Sequence, residues 1–227
     1  MNEAQYRHEY KHAINLADYH SLRRRLLAVA RMDAYAGQDG RYRVRSLYFD
    51  NDDDLALREK LYGLPNREKY RIRLYNGDER VIRLEKKSKV NGLCLKQSAA
   101  LTRAQAERIL RGDMALLADS GDAVLAEFYA KARYKRLKPR TIVDYDREAY
   151  VFPQGNVRVT FDSNVRTGLY ATDLFGEGAA LRAQEAGLLL LEVKYDSFLP
   201  DIMRDVIQTN TRHTEAFSKY AACRMYG

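Results

Sequence analysis

Charged side chains at every second position give this sequence its chemistry. Arg71 and Arg73 precede an Asn76-Gly77 pair, and Arg83, Glu85 and Lys87 follow it. A guanidinium presents a planar fork that matches two phosphate oxygens at once, and an ammonium adds a compact point charge. Carboxylates scattered among such cations are hard oxygen donors, suited to a divalent ion shared with phosphate. The same alternation recurs at Arg7, Glu9 and Lys11, at Arg43 and Arg45, at Arg158 and Asp162, and at Glu192 and Lys194. Together these residues could hold a polyanion, and no Ser, Cys or His is spaced to act as a nucleophile in a triad.

Two shorter patterns point elsewhere. His8-Glu9-Tyr10-Lys11-His12 fits H-E-x-x-H, which binds zinc when both histidines sit one turn apart on a helix. Here the alternation predicts a strand, with His8 and His12 on the face opposite Glu9, and only His20 and His213 remain as further histidine ligands. The acidic run Asp50-Asn51-Asp52-Asp53-Asp54 lacks the glycine and distal glutamate of an EF-hand loop. It reads as capping for a short helix, Leu55–Tyr62.

The elements that must position the charges follow from periodicity. Strands are expected over Tyr6–Ile14, Arg43–Phe49, the two arms around Asn76-Gly77, Leu93–Ser98, Arg140–Glu148, residues 157–162 and Leu188–Lys194. Asn76-Gly77 is a two-residue hairpin signal, because both residues tolerate positive φ. In its arms Tyr70, Ile72, Leu74, Ile82 and Leu84 fall on one face and the charges on the other. Helices are expected from Leu16 to about Arg31 with Asn15 as cap, over Arg103–Arg111 capped by Thr102, and over Ala123–Tyr134, Pro200–Gln208 and Thr214–Tyr226. Residues 167–185 show no clear period and read as a long loop.

Composition narrows the partner. The chain has 227 residues, 46% of them hydrophobic, with 39 basic residues against 31 acidic for a net charge of +8. That length and core content suit a single domain spanning 1–227. The charge favours an anionic partner, and the basic residues are spread along the chain with no polybasic tail. No stretch approaches the roughly 20 apolar residues of a membrane helix. Cys94 and Cys223 lie far apart, which fits a reducing compartment, so the cytoplasm is the expected location. The helices can cover the apolar strand faces. The charged faces meet one another if the sheet closes into a barrel. Buried unpaired charge costs several kcal/mol per ion, so such an interior makes sense once a polyanion occupies it.

The ordered set Arg7-His8-Glu9-Tyr10-Lys11, Ser46-Leu47-Tyr48-Phe49-Asp50, Tyr70-Arg71-Ile72-Arg73-Leu74-Tyr75, Leu84-Glu85-Lys86-Lys87-Ser88, Leu191-Glu192-Val193-Lys194 and Phe217-Ser218-Lys219-Tyr220 resembles a known family. It is similar to the polyphosphate polymerase domain of the vacuolar transporter chaperone (VTC) family, within the triphosphate tunnel metalloenzymes (CYTH-like), in a short bacterial form. The resemblance implies an α+β fold, an eight-stranded antiparallel β tunnel with a charged interior walled by helices. It implies a transferase that uses ATP and a divalent cation, manganese before magnesium, to extend inorganic polyphosphate. Carried over by position, Arg71, Arg73, Lys87 and Glu192 would be catalytic. Lys11, Lys60, Lys96, Arg147, Arg158, Lys194 and Lys219 would bind phosphate, and Glu192, Glu9 and Glu85 would hold metal. The superfamily opens with E-x-E-x-K, whereas this chain has Arg7, Glu9 and Lys11, which favours holding a long chain over hydrolysing a short one. A tripolyphosphatase or nucleoside triphosphatase in the same tunnel is the alternative enzyme. A non-enzymatic polyphosphate or nucleic-acid binder is the alternative outside enzymes, although the tyrosines fall mainly on core faces and nucleic acid is not the expected partner. A separate membrane protein could receive the polymer.

Overall fold

The computed structural model describes residues 5–37, 39–176, 182–183, 189–209 and 217–225. In chain order the elements are β1 (His8–Ile14), α1 (Leu16–Val29), β2 (Arg31–Met32), β3 (Arg41–Asp50), α2 (Leu55–Leu61), β4 (Arg67–Tyr75), β5 (Asp78–Val90) and β6 (Leu93–Leu101). Then come α3 (Arg103–Leu110), α4 (Ala123–Lys135), β7 (Lys138–Phe152), β8 (Val157–Thr167), β9 (Arg182–Ala183), β10 (Leu189–Tyr195), α5 (Asp201–Val206) and α6 (Lys219–Met225). Eight long strands form one antiparallel sheet in the order β1-β10-β8-β7-β3-β4-β5-β6, with the short β2 and β9 added to β7 and β8. The sheet curls until its edges touch. Arg7 and Cys94 form an antiparallel bridge, each donating its N–H to the other's carbonyl at 2.9 Å. The α+β tunnel architecture expected from the sequence is the architecture observed.

Local chemistry explains the elements. Asn76 and Gly77 have φ of 52° and 71°, so the β4–β5 turn is left-handed at both residues as the hairpin requires. Asn91-Gly92 does the same between β5 and β6, at 47° and 89°. Asn15 and Asp18 form a capping box on α1, and Thr102 and Gln105 form one on α3. The acidic run does cap α2, but through its first members. Asp50 accepts from the N–H groups of Ala56 and Leu57, and Asn51 accepts from that of Leu55. Asp54, at the N-cap position, makes no side-chain cap bond.

Two apolar layers lie outside the curled sheet. Helices α3 and α4 put Ala106, Ile109, Leu125 and Phe128 on Ile72, Leu74, Ile82 and Leu84. Helices α1 and α5 put Leu22, Leu26 and Met203 on Val159, Phe161, Leu191 and Val193. A third cluster lies on the concave side, where α6 sets Tyr220 and Cys223 against Tyr48, Val143 and Tyr145.

Three expectations need correction. Arg43 and Arg45 do not share the charged concave face. Ser46 and Tyr48, of opposite parity, pair across to Arg73 and Arg71, while Arg43 and Arg45 both bind Asp144 on the outer side. Strand β7 is longer than expected and runs through Pro139. The 167–185 stretch contains β9, which pairs with β8. The expected helix Thr214–Tyr226 is described only from Lys219 to Met225; residues 214–216 and 226 lie outside the described residues, as do 177–181 and 184–188.

Candidate functional site

Strand parity gathers the charges on the concave face, because residues directly paired across strands share a face. Lys69 pairs with Lys87, Arg71 with Glu85, and Lys87 with Lys96. Arg147 pairs with Asp162. Glu192 pairs with Lys11 and Thr160, and Lys194 with Glu9 and Arg158. Helix α6 adds Lys219 from above, 2.5 Å from Asp162. The expected site residues Lys11, Arg71, Arg73, Lys87, Lys96, Arg147, Arg158, Lys194, Lys219, Glu9, Glu85 and Glu192 therefore line one curled surface. Lys60 reaches the mouth of the same channel from α2, beside Arg67 and Lys89.

The carboxylates divide the cations into groups. Glu85 is fully buried. It accepts from Arg71 at 2.8 Å, and Arg73 and Lys96 lie 3.5 Å and 3.3 Å away. Arg71 also donates to the Tyr48 hydroxyl at 2.7 Å, and Arg73 donates to Ser46 Oγ at 2.9 Å and the Tyr145 hydroxyl at 3.2 Å. Glu9 binds Lys87 at 2.6 Å across the seam and Lys11 at 2.9 Å. Glu192 lies 3.3 Å from Lys194, 3.7 Å from Lys11 and 3.4 Å from Arg147. Arg147 holds Asp162 through two hydrogen bonds of 2.6 and 2.7 Å. Arg158 sits apart, bound to Asp33 and donating to the Tyr42 hydroxyl at 3.0 Å.

This packing biases protonation. Burial pushes the carboxyl pKa of Glu85 up, but Arg71, Arg73 and Lys96 outweigh it, and the group stays well below the usual carboxylate range. Glu192 behaves alike beside Lys194, Lys11 and Lys87, and Glu9 beside Lys87, Lys11 and Lys194. Lys11 is raised, because Glu9 and Glu192 overcome its burial. Lys87 is lowered by burial despite Glu9. Glu85, Glu192, Glu9 and Lys11 therefore keep their charge at neutral pH, and the channel holds cations held in place by fixed anions.

The donor set suits a hard divalent ion at one place. Glu9 and Glu192 share Lys11 and Lys194 as counter-ions. Opposite Glu192 in register, Thr160 buries a hydroxyl that has no hydrogen-bond partner among the described residues. Oxygen ligands of this kind, completed by water and phosphate, fit magnesium or manganese. Glu85 is engaged with its own arginines, and among the described residues no three His, Cys, Asp or Glu side chains come together in a metal-binding group. The trio expected from the resemblance is therefore a pair plus a separate carboxylate. His8 points away from Glu9, stacked on Tyr195 with ring centroids 4.9 Å apart.

The sequence reading missed Lys69 and the uncharged partners Ser46, Tyr48, Tyr145 and Thr160. Parity could have found Lys69, which stands two residues before Arg71. Tyr145 and Thr160 share strand faces with Arg147 and with Arg158 and Asp162, but an uncharged hydroxyl does not mark itself as a site group, and Ser46 and Tyr48 stand on the face opposite Arg43 and Arg45.

A curled antiparallel sheet with a cationic concave face, covered outside by helices, is the triphosphate tunnel fold. The family model of the VTC domain matches residues 6–226, and the chain belongs to that family. Solved structures agree on the fold. A candidate adenylyl cyclase from Hippeastrum, described as having a dominant triphosphatase activity, is 11% identical, with 98% of this chain and 96% of that one covered at a TM-score of 0.57. A candidate adenylate cyclase from Bacillus halodurans is 14% identical, with 89% and 86% covered at a TM-score of 0.51. No curated protein matches the chain. No helix among the described residues is long and apolar enough to cross a membrane.

Proposed function

We propose that the chain, as a single domain over 1–227, is a polyphosphate polymerase that transfers the γ-phosphate of ATP to a growing inorganic polyphosphate chain. One observation carries this reading: cations from seven strands and α6 converge on one concave face, where carboxylates pre-position most of them. Phosphoryl transfer asks for positioning and charge stabilisation, which this surface supplies. Arg71 and Arg73, held by Glu85, Ser46 and the two tyrosines, would grip the triphosphate with little loss of side-chain freedom. Lys11, Lys87, Lys194 and Lys219 would orient the acceptor phosphate from the opposite wall, with Arg147, Lys96 and Arg158 extending the track. A divalent cation, manganese by family resemblance, would be held by Glu192 and Glu9 and would neutralise charge on the phosphate oxygens.

Arg7 supports a polymer rather than water as acceptor. It stands where the wider superfamily has a glutamate, and it is bound to Asp196 at 2.8 Å. The channel thus has one carboxylate fewer for activating water. Hydrolysis of triphosphate is the second reading, favoured by the activity described for the Hippeastrum protein of the same fold. Incubation with ATP and manganese separates the two. A ladder of polyphosphate on a gel supports polymerisation, and orthophosphate alone refutes it. Both cysteines are free and buried, which supports a reducing cytoplasm, and a separate membrane protein would receive the polymer.

A further inference from the structure

The cations deep in the channel have carboxylate partners, but Lys69 at its mouth does not share this arrangement. A cavity of about 100 Å³ is lined by Lys11, Lys60, Arg67, Lys69, Lys87 and Lys89, against the single carboxylate Glu9, which Lys11 and Lys87 already occupy. Ser88 and Ser218 add hydroxyl groups to its wall. Lys69 stands at its centre. It comes from β4 on the face of Arg71 and is paired in register with Lys87. Its ammonium donates to Ser218 Oγ at 3.1 Å and lies 5.6 Å over the Tyr220 ring. Among the described residues no carboxylate binds it.

An ammonium needs three acceptors to be satisfied, and burying it among like charges is unfavourable unless an anion joins it. Burial, followed by Lys11, Lys87, Arg67 and Lys60, pulls the Lys69 pKa well below that of an ordinary lysine. Among the described residues only the Ser218 hydroxyl and the Tyr220 ring lie against the ammonium, and no carboxylate offsets this repulsion. Strain of that kind at a site is what a ligand releases on binding.

Resting on the reading of the channel as a polyphosphate site, we infer that this mouth cavity is a separate phosphate subsite, with Lys69 as its central donor, that grips a chain extending beyond the triphosphate held by Arg71 and Arg73. Its ligand class is linear polyphosphate longer than three units. A triphosphate that fills the paired part of the channel leaves the cavity unused. A longer chain reaches it and gains a charge-assisted contact, so the subsite selects for length.

The test compares tripolyphosphate with a long-chain polyphosphate in metal-free calorimetric titrations of the full chain. Lys69→Met keeps the length of the side chain and removes its charge. Long-chain affinity should fall about tenfold and tripolyphosphate affinity less than threefold, and Lys69→Arg should restore the preference for length. Equal losses for both ligands would place Lys69 in the common triphosphate site and overturn the inference, as would no loss for either. Retained tripolyphosphate binding also shows that the variant is folded. The outcome is independent of the acceptor question: a protein that only hydrolyses ATP yet shows the selective loss keeps the subsite and loses the polymerase reading. Polymer synthesis without the selective loss does the reverse.

Discussion

Arg73→Ala and Glu192→Gln should separate binding from turnover. Arg73 is 5% exposed, and its guanidinium lies on Ser46, Tyr145 and Glu85. Removing it does not strand Glu85, which keeps Arg71 and Lys96. What disappears is one charge-assisted contact to phosphate, worth about 1.5–3 kcal/mol. Affinity for metal-free tripolyphosphate should therefore fall roughly ten- to a hundredfold. Glu192 is 4% exposed, and glutamine has nearly its shape. Lys11 and Lys194 keep Glu9, and Arg147 keeps Asp162, so the pairs are thinned rather than broken. Taking a negative charge from about 8 Å away relieves roughly 2 kcal/mol of repulsion on a phosphate at an effective dielectric constant of about 20. Neighbouring lysines screen part of that, and metal-free tripolyphosphate should bind as well or several-fold more tightly. Turnover of ATP with manganese should nevertheless drop by on the order of a hundredfold or more, since a group that stabilises transferring charge is lost. Calorimetry without metal and ATP consumption with manganese read the two effects apart. Full manganese-dependent turnover in Glu192→Gln would remove Glu192 from the reaction. Unchanged affinity in Arg73→Ala would place the phosphates elsewhere.

Other outcomes follow from the same contacts. Glu9, Glu85, Glu192 and Asp162 all have depressed carboxyl pKa values. Their contribution to stability is thus complete above the unfolded carboxylate range near about 4 and is lost as pH falls toward their folded values. The urea midpoint should be flat from neutrality to about pH 5 and fall steeply in stronger acid; a steady decline beginning near neutrality would contradict this. Gly155→Ala should destabilise by about 2–3 kcal/mol, because the added Cβ would lie 2.6 Å from the Phe198 carbonyl at a φ of +69°; a melting temperature equal to wild type would show that the turn relaxes. Tyr220→Phe removes a 2.6 Å bond to Asp50 and should cost about 1–2 kcal/mol. Amide exchange should rise in α6, and exchange that rises only elsewhere would refute the role of Asp50 as its anchor.

Much of this was legible in the sequence where one rule acted alone. Period-two alternation with an Asn-Gly turn specified the β4–β5 hairpin and the facing of Arg71, Arg73 and Lys87, because a strand has only two faces. The same rule misplaced Arg43 and Arg45. In β3 both faces are buried from Val44 to Asp50, with Phe49 against Phe128 of α4 outside and Tyr48 against Tyr220 of α6 inside, so charge no longer marks the channel side. The burial of tyrosines on the concave face follows from α6, a contact between distant parts of the chain that no local pattern encodes. Glu85 parted from Glu9 and Glu192 for a similar reason: parity gives the face, whereas distance around the curl depends on strand order.

The order of the strands also bears on how the protein is made. Among the described residues strand β1 pairs only with β10 and through the Arg7–Cys94 bridge, so it waits for β10 while most of the sequence between them is synthesised. At about 5–20 residues per second the delay is on the order of ten seconds or more. During that time β1 is an open edge, the kind of segment on which nascent chains aggregate. Its Arg7, Glu9 and Lys11 put charge along that edge before any channel exists. These charged residues thus guard the edge during translation, and substituting them with apolar residues would lower the yield of folded protein.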